Sequence, residues 1–189
     1  MEKLPITVVI PVSSDKRVVR CIDSVDENAE IIVVLNNNPT MEVVDAVRMN
    51  KHCKIITVDE KGCNLARVFN EGIKSATHDK IVLTNSDCTF QPGLIREVSQ
   101  QLDLYDVVKA RVVFDYKNHS QRLVSQCRYL FHYIFNGGEN LYGPGLSFKK
   151  SVSSMVGGYF FDERMGWGED GELSNRINSS SLKIFILEK

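Results

Sequence analysis

The amino-acid sequence predicts an α/β fold, a three-layer α/β/α sandwich with a mostly parallel central sheet. Apolar runs alternate with amphipathic segments four times between residues 6 and 102, which is the pattern of stacked βαβ units. The apolar runs are continuous and rich in Val and Ile, as in strands that helices cover on both faces. Together these two observations favour a parallel sheet over an antiparallel barrel or sandwich.

The first part of the chain supplies four strands, each followed by a helix. The predicted strands cover residues 6–10, 30–35, 54–58 and 80–84. The helices that follow them cover residues 15–26, 40–49, 64–76 and 92–102. Thr40 is a candidate N-cap, Pro92 suits a first turn, and Pro11 closes the first strand. The third helix is predicted to bury Leu65, Val68, Phe69 and Ile73.

The pattern changes after residue 104. In order, the second part is predicted to contain a strand over 106–116, an aromatic-rich helix over 120–135, a short strand over 146–148, a loop over 157–171, a helix over 170–179 and a last strand over 182–187. No repeat, low-complexity stretch or Pro/Ser-rich linker divides the chain. Residues 1–189 are therefore predicted to form one domain.

Composition excludes several classes of protein. Lys and Arg number 23 and Asp and Glu 24, so the net charge of −1 disfavours a nucleic-acid-coating or membrane-surface protein. The five cysteines are an odd number without C-x-x-C spacing, which argues against a disulfide framework or a zinc site. The sequence shows neither a signal peptide nor an apolar run of membrane-spanning length. We therefore expect a soluble protein of the cytoplasm.

Polar residues follow three of the predicted strands, at residues 13–14, 36–38 and 85–87. Parallel strands end at one edge of the sheet, where ligands of such folds bind, so these residues are expected to lie together. The sequence contains no G-x-G-x-x-G, P-loop or G-x-S-x-G motif. A dinucleotide oxidoreductase, a P-loop nucleotidase and a common serine hydrolase are therefore disfavoured.

Two motifs carry the chemistry. Asp87, directly after a strand, is placed to hold a divalent cation that grips a diphosphate, or else it caps a turn before Pro92. Glu169 and Asp170 open a short helix whose N-terminal dipole favours carboxylates. Glycines on both sides of Trp167 allow an exposed ring that stacks on a sugar. The alternative for this second motif is a capped helix with a buried tryptophan.

The segments resemble, in their order along the chain, the nucleotide-sugar glycosyltransferases of the GT-A type, family 2. The last third is also similar to the galactosyl- and N-acetylgalactosaminyltransferases. The segments that carry the resemblance are residues 6–11, 21–25, 30–34, 64–73, 81–87, 143–150, 157–162 and 166–170. The resemblance implies a GT-A (Rossmann-like) fold with a nucleotide-sugar-binding half (1–104) and an acceptor-binding half (105–189). It also implies transfer of a sugar to a hydroxyl group.

The resemblance implies a set of donor-site residues. The nucleotide-sugar-binding residues by resemblance are Pro11, Val12, Ser13, Asn36, Arg67, Asn85 and Ser86. Where the family has an acid for the base, this chain has Leu35 with Asn36 beside it. An amide both donates and accepts hydrogen bonds, so it suits a pyrimidine edge, and uridine is the expected base. Arg67 approaches the donor by resemblance, or else forms a salt bridge on a helix surface.

The expected cofactor is Mn²⁺ or Mg²⁺, with Asp87 as its ligand. Asn85 stands where the family's D-x-D motif has its first acid, so weak metal binding is expected. Related enzymes add a histidine beyond the E-D pair, but all four histidines here precede it. Three alternatives follow: a weak metal site, a ligand from an unexpected residue, or a longer multidomain chain that supplies the missing part.

By resemblance, Asp170 is the general base for the acceptor hydroxyl and the reaction inverts the anomeric centre. Glu169 and Trp167 are expected to bind the acceptor, which is a glycan or a lipid-linked or protein-linked sugar. The aromatics that line the acceptor side, or else form a helix core stripe, are Tyr129, Phe131, Tyr133, Phe135 and Tyr142.

Two other functions stay open. A degenerate GT-A protein that binds a nucleotide sugar without turnover would explain the missing acids at Leu35 and Asn85. A nucleotidyltransferase shares a similar sheet and metal-bound carboxylates, but it needs a basic Gly-rich loop after the first strand. The loop at residues 11–17 is basic only at its end, which disfavours this class.

Overall fold

A computed structural model of the chain describes residues 3–50, 52–58, 62–113, 115, 118–130, 141 and 143–187. Its strands are β1 (Ile6–Val12), β2 (Glu30–Asn36), β3 (Cys53–Val58), β4 (Lys80–Leu83), β5 (Val107–Ala110), β6 (Leu146–Lys149) and β7 (Ile184–Leu187). Its helices are α1 (Val18–Asp23), α2 (Met41–Met49), α3 (Leu65–Ser75), α4 (Leu94–Leu104), α5 (His119–Leu130), α6 (Val152–Met155) and α7 (Glu169–Asn178).

The strands form one sheet in the order β3-β2-β1-β4-β6-β5-β7. β6 runs antiparallel to its neighbours β4 and β5, and the other strand pairs are parallel. Two apolar cores lie on opposite faces: α1, α2 and α4 cover one, and α3 and α7 cover the other. The predicted three-layer α/β/α sandwich with a mostly parallel sheet is confirmed.

Local sequence explains why the helices of the first part begin where they do. The Thr40 hydroxyl accepts a hydrogen bond from the backbone N–H of Val43, which confirms the predicted N-cap of α2. Asn64 caps α3 in the same way, through the N–H of Arg67. Gly72 lets α3 approach the sheet closely, because a Cβ there would lie 2.3 Å from Val9 Cγ1.

The first strand is longer than predicted: it ends at Val12, and Pro11 lies within it, opposite Val34. Pro11 is tolerated because its nitrogen faces the side where β4 has already ended. Leu83, the last residue of β4, pairs with Val9, and the N–H of Thr84 reaches the Val9 carbonyl. A missing N–H beyond that point removes no ladder hydrogen bond.

Three predictions about the helices need correction. α1 is shorter than residues 15–26, and the Ser24 hydroxyl that follows it donates to the Cys21 carbonyl. α4 begins at Leu94, after Gly93 at φ 79°, which leaves Pro92 outside the helix. Leu65 is 41% exposed instead of buried, because it opens α3 at its solvent side.

The strand predicted over 106–116 ends at Ala110, and Val113 beyond it is 79% exposed. The pairing with both neighbouring strands stops at the same position, since Lys109 pairs with Leu146 and Ala110 with Leu187.

The short helix α6 was not predicted. Of the predicted helix over 120–135, the part up to Leu130 is a helix. The aromatics predicted to line the acceptor side lie outside the described residues, as does the side chain of Tyr129.

Within the described ranges, no helix combines the length and the apolar character that crossing a membrane requires.

Candidate functional site

The carboxyl ends of β1, β2 and β4 lie side by side, because these strands are neighbours and parallel. Ser13 follows β1, Asn36 ends β2, and Asn85 comes two residues after β4. The sheet therefore brings the three polar segments to one edge, as their positions in the sequence predicted. The prediction that Pro11 and Val12 lie in the loop after β1 is wrong, since both are buried within β1.

Asn36 and Asn37 connect the segments of this edge. The buried Asn36 amide donates from Nδ2 to the carbonyls of Val12 (3.1 Å) and Val34 (3.2 Å), and its Oδ1 accepts from Asn37 Nδ2 (3.2 Å). Asn37, at φ 52°, also donates to the Cys63 carbonyl. Asn36 thus holds the ends of β1 and β2 together here, and its contact with a base stays a prediction.

The segment after β4 is a tight turn in which Cys88 N–H donates to the Asn85 carbonyl (3.2 Å). Asp87 is exposed on this turn, with one carboxylate oxygen 3.6 Å from Arg17 Nη2. Arg17 also pairs with Asp15 at 2.7 Å, and this guanidinium holds the pKa of Asp15 below its usual value. Two carboxylates and one cation therefore meet beside the end of β4.

Two thiols belong to or contact this turn: Cys88 closes it, and Cys21 Sγ donates to the Asn85 carbonyl (3.6 Å). Burial raises the pKa of Cys21 to about 12, and it also raises that of Cys88, where the Asp87 carboxylate adds to the effect. Both thiols therefore stay protonated at neutral pH and do not offer thiolate ligands. Among the described residues, no group of three or more His, Cys, Asp and Glu side chains could hold a metal ion.

Asp87 therefore fits a metal only as a single oxygen ligand of a hard cation. Mg²⁺ and Mn²⁺ accept this arrangement when substrate phosphates and water complete the shell. The donor set fits a cation that arrives with a diphosphate, rather than one held by the protein beforehand.

The amino end of α3 faces the loop before α7. Asn64 Nδ2 donates to the carbonyls of Glu163 (2.6 Å) and Met165 (2.8 Å), while its Oδ1 caps α3. Asn70, one and a half turns further on, exchanges hydrogen bonds with the backbone of Phe161. Arg67 lies half-buried between these two tethers, in the first turn of the helix. The loop that leads to Trp167 is thus fastened to α3.

The predicted acidic motif does open a helix. α7 begins at Glu169 after Gly168 at φ 79°, and Glu169 and Asp170 both lie in its first turn. Asp170 accepts hydrogen bonds from the backbone N–H groups of Gly171 (2.8 Å) and Gly143 (2.9 Å). Glu169 is buried, whereas Trp167 is 86% exposed, so the ring stands free as the flanking glycines predicted.

Two cations that sequence reasoning missed hold this part of the site. Lys109 is 2% exposed in β5, and its Nζ donates to the Pro144 carbonyl at 2.5 Å. The lone lysine within the buried run 107–110 was the signal available for it. Arg176 donates to the carbonyls of Val156 (2.5 Å), Tyr159 (2.9 Å) and Phe160. Nothing in its local sequence marked this role, because all three carbonyls belong to another segment.

A cavity of about 330 Å³ lies between α3 and the segment 159–164, lined by Asn70, Tyr159, Phe161, Asp162, Glu163 and Arg164. Neither Asp87 nor Asp170 lines it. The polar groups of the sheet edge define the candidate site better than this depression does.

The chain is similar in structure to S. aureus TarS. It matches TarS 1-349 at a TM-score of 0.71 and 15% identity, over 100% of this chain and 58% of that one. The match to TarS 1-349 in complex with UDP-GlcNAc has a TM-score of 0.73 at 16% identity, over 56% of that chain. The match to the complex with UDP has a TM-score of 0.71 at 15% identity. The chain thus spans a little over half of TarS 1-349, and the likeness at this identity shows a shared fold.

No curated protein matches the chain by sequence. The family model described as "Glycosyl transferase family 2" matches residues 7–156. That range includes all but the first residue of β1, the strands β2 to β6 and the segment 85–87, and it ends before Trp167, Glu169 and Asp170. Because the match covers well over half of the chain, the chain belongs to glycosyl transferase family 2.

Proposed function

We propose that the chain transfers a sugar from a nucleotide-diphosphate donor, a UDP-sugar, to a hydroxyl acceptor with inversion. The observation that carries this proposal is a hydrogen-bonded connection between the end of β4 and the Asp170 carboxylate. Gly145 N–H donates to the carbonyl of Leu83, at the end of β4, and Gly143 N–H donates to Asp170. Residues 143–145, here named the 143–145 strap, thus link the strand that carries the 85–87 turn to the first turn of α7. Family membership and the UDP-GlcNAc and UDP bound to TarS support a uridine donor.

The donor residues follow from this edge. In this proposal Ser13, Asn85 and Ser86, which follow β1 and β4, bind the nucleotide and its sugar, and Arg67 approaches the donor from α3. Asp87 would hold Mn²⁺ or Mg²⁺ together with the diphosphate. When bound, that cation stabilises the negative charge that builds on the leaving diphosphate.

Asp170 is the candidate general base. Each of its carboxylate oxygens accepts one backbone N–H and keeps a lone pair, so either can take a proton. The acceptor hydroxyl gives its proton to Asp170 while its oxygen bonds to the anomeric carbon. The bond between that carbon and the diphosphate oxygen breaks, and the nucleoside diphosphate leaves on the opposite face. Trp167 would stack on the acceptor sugar, and Glu169, next to the base, would form a hydrogen bond with that sugar.

A second candidate is binding without turnover. Asn85 in place of an acid and a single exposed carboxylate at the 85–87 turn favour it.

The acceptor in the main proposal is a glycan or a lipid-linked or protein-linked sugar. The acceptor stays a proposal, because the chain spans only part of TarS.

The test combines binding and transfer. A thermal-shift screen of nucleotide sugars with and without Mn²⁺ should raise the unfolding temperature most for a UDP-sugar, by mass action. Release of UDP from that donor, with transfer to a sugar acceptor, then identifies an enzyme. Asp170→Asn should lower kcat by about 10²- to 10⁴-fold with donor binding kept. Asp45→Asn, an exposed acid on α2, is the matched control and should behave as wild type.

Each outcome decides between the candidates. Donor binding without UDP release would support the non-catalytic protein. Near-full transfer by Asp170→Asn would overturn the assignment of the base, while leaving the donor assignment intact.

A further inference from the structure

Lys109 is a fully buried lysine on β5, the next-to-last strand of the sheet. It lies on β5 between β6 and β7, opposite Leu146 on one side and Ile186 on the other. Its relative exposure is 2%, the same as for aliphatic residues of the core. An ammonium group in such a place costs free energy unless polar partners compensate for the lost water. A purely structural core would place an apolar residue here.

The partners of Lys109 all belong to the candidate site. Its Nζ donates to the carbonyl of Pro144, the central residue of the 143–145 strap. The titratable groups that face it are Cys88, beside the 85–87 turn, and Asp170, in the first turn of α7. Burial lowers the pKa of Lys109 to about 8, and the negative charge of Asp170 acts in the opposite direction. Lys109 is therefore mostly charged at neutral pH.

The 143–145 strap is also fixed at Gly145, its last residue. Gly145 lies between two strands, since its N–H donates to Leu83 and its carbonyl accepts from the N–H of Ala110. A Cβ at Gly145 would lie 2.9 Å from the Ala110 carbonyl oxygen, and its φ is +84°, so no other residue fits without strain. Two fixed points, Gly145 and the Pro144 carbonyl, thus determine where Gly143 N–H points.

We propose that Lys109 is the positioning residue of the candidate base: by holding the Pro144 carbonyl, its ammonium aims Gly143 N–H at Asp170 Oδ2 and places a positive charge behind that carboxylate. The catalytic part of this proposal rests on the proposed function, in which Asp170 takes the acceptor proton. The buried contact itself does not depend on that function.

Two variants of Lys109 test the proposal. Lys109→Met keeps most of the length and removes the charge and the donor. It should lower kcat by about 10²-fold, the effect of a base displaced by about an ångström, with KM for the donor and UDP affinity within about threefold of wild type. Lys109→Arg keeps a charge that does not titrate, and it should recover part of kcat.

The pH profile separates positioning by charge from packing. Lys109 is charged below its pKa of about 8 and loses its proton above it. Wild-type kcat should therefore fall as the pH rises through about 8, and Lys109→Arg should lack this decline. The same alkaline decline in both proteins would overturn the proposal, as would wild-type kcat in a folded Lys109→Met. If the methionine variant does not fold, the comparison of wild type with Lys109→Arg still decides.

Hydrogen exchange of the Gly143 amide, followed by NMR, tests the contact without turnover. Lys109→Met should speed this exchange about tenfold or more, because the 143–145 strap that holds the amide against Asp170 loses a fixed point, whereas Lys109→Arg keeps a donor for the Pro144 carbonyl. Unchanged exchange in a folded Lys109→Met would overturn the role of Lys109. A wild-type protein that never releases UDP would overturn the proposed function instead, so the two failures are distinguishable.

Discussion

The two parts of the carboxyl edge are held together in different ways. In residues 3–104, the polar residues follow strands of a regular βα repeat, and contacts between neighbours in sequence or in the sheet fix them. In residues 105–187, the site depends on side chains that bond to backbone far away in sequence. Arg176 reaches residues 156–160, Lys109 reaches Pro144, and Asp170 reaches Gly143.

This difference shows how an irregular backbone segment is held in one conformation. The loop 156–168 has few ladder hydrogen bonds of its own, so its carbonyls need donors from elsewhere. Arg176, Asn64 and Asn70 supply them from α7 and α3. Side chains that donate to this loop should therefore cost more stability when removed than side chains whose contacts are local. Two predictions test this, and a third tests how closely α3 packs on the sheet, from the largest expected effect to the smallest.

Arg176→Ala should lower the free energy of unfolding by about 4 kcal/mol. The change leaves three carbonyls without a donor and removes the ion pair with Glu172, whose Nε to Oε1 distance is 2.6 Å with both side chains largely buried. Urea unfolding measures the loss. Arg48→Ala, an exposed arginine at the end of α2, is the control from the first part, and its effect should stay within about 0.5 kcal/mol. Equal effects of the two variants would contradict the comparison.

Asn64→Ala should cost about 3 kcal/mol, against about 1 kcal/mol for Thr40→Ala. Both residues cap a helix, but Asn64 also donates to the carbonyls of Glu163 and Met165, whereas Thr40 makes a local cap. Thermal unfolding of the two variants side by side isolates the long-range part. A cost for Asn64→Ala no larger than that for Thr40→Ala would mean that the tethers to the loop add no stability.

Gly72→Ala should cost about 2 kcal/mol, because overpacking exceeds the gain in helix propensity. The new Cβ would meet Val9 Cγ1 at 2.3 Å and Val34 Cγ2 at 3.1 Å. Gly171→Ala in α7 is the matched control, since nothing lies within 4 Å of a Cβ there. That variant should gain up to about 1 kcal/mol in unfolding free energy. A stabilised Gly72→Ala would show that α3 can shift away from the sheet.

Much of the fold could be predicted from the sequence, and so could part of the site. The strands of the first part are apolar runs whose ends are marked by polar residues, and Thr40 marks a helix start. Glu169 and Asp170 open α7 as predicted, and Trp167 is exposed as its flanking glycines indicated. The position of Pro11 was wrong, because the length of β4, not the residue itself, decides whether a proline fits there. The partners of Lys109 and Arg176 could not be predicted, since they are backbone carbonyls, which carry no residue identity.

The sequence by itself determined the α/β class, the alternation of strands and helices, and the polar ends of β1, β2 and β4. Those features arise from hydrophobic periodicity and from turn and cap residues, which act over a few positions. Only the tertiary structure decided that β6 enters antiparallel between β4 and β5, and that the 143–145 strap runs from the end of β4 to Asp170. Those features depend on hydrogen bonds between backbone groups far apart in the chain, which form only once the sheet has brought them together.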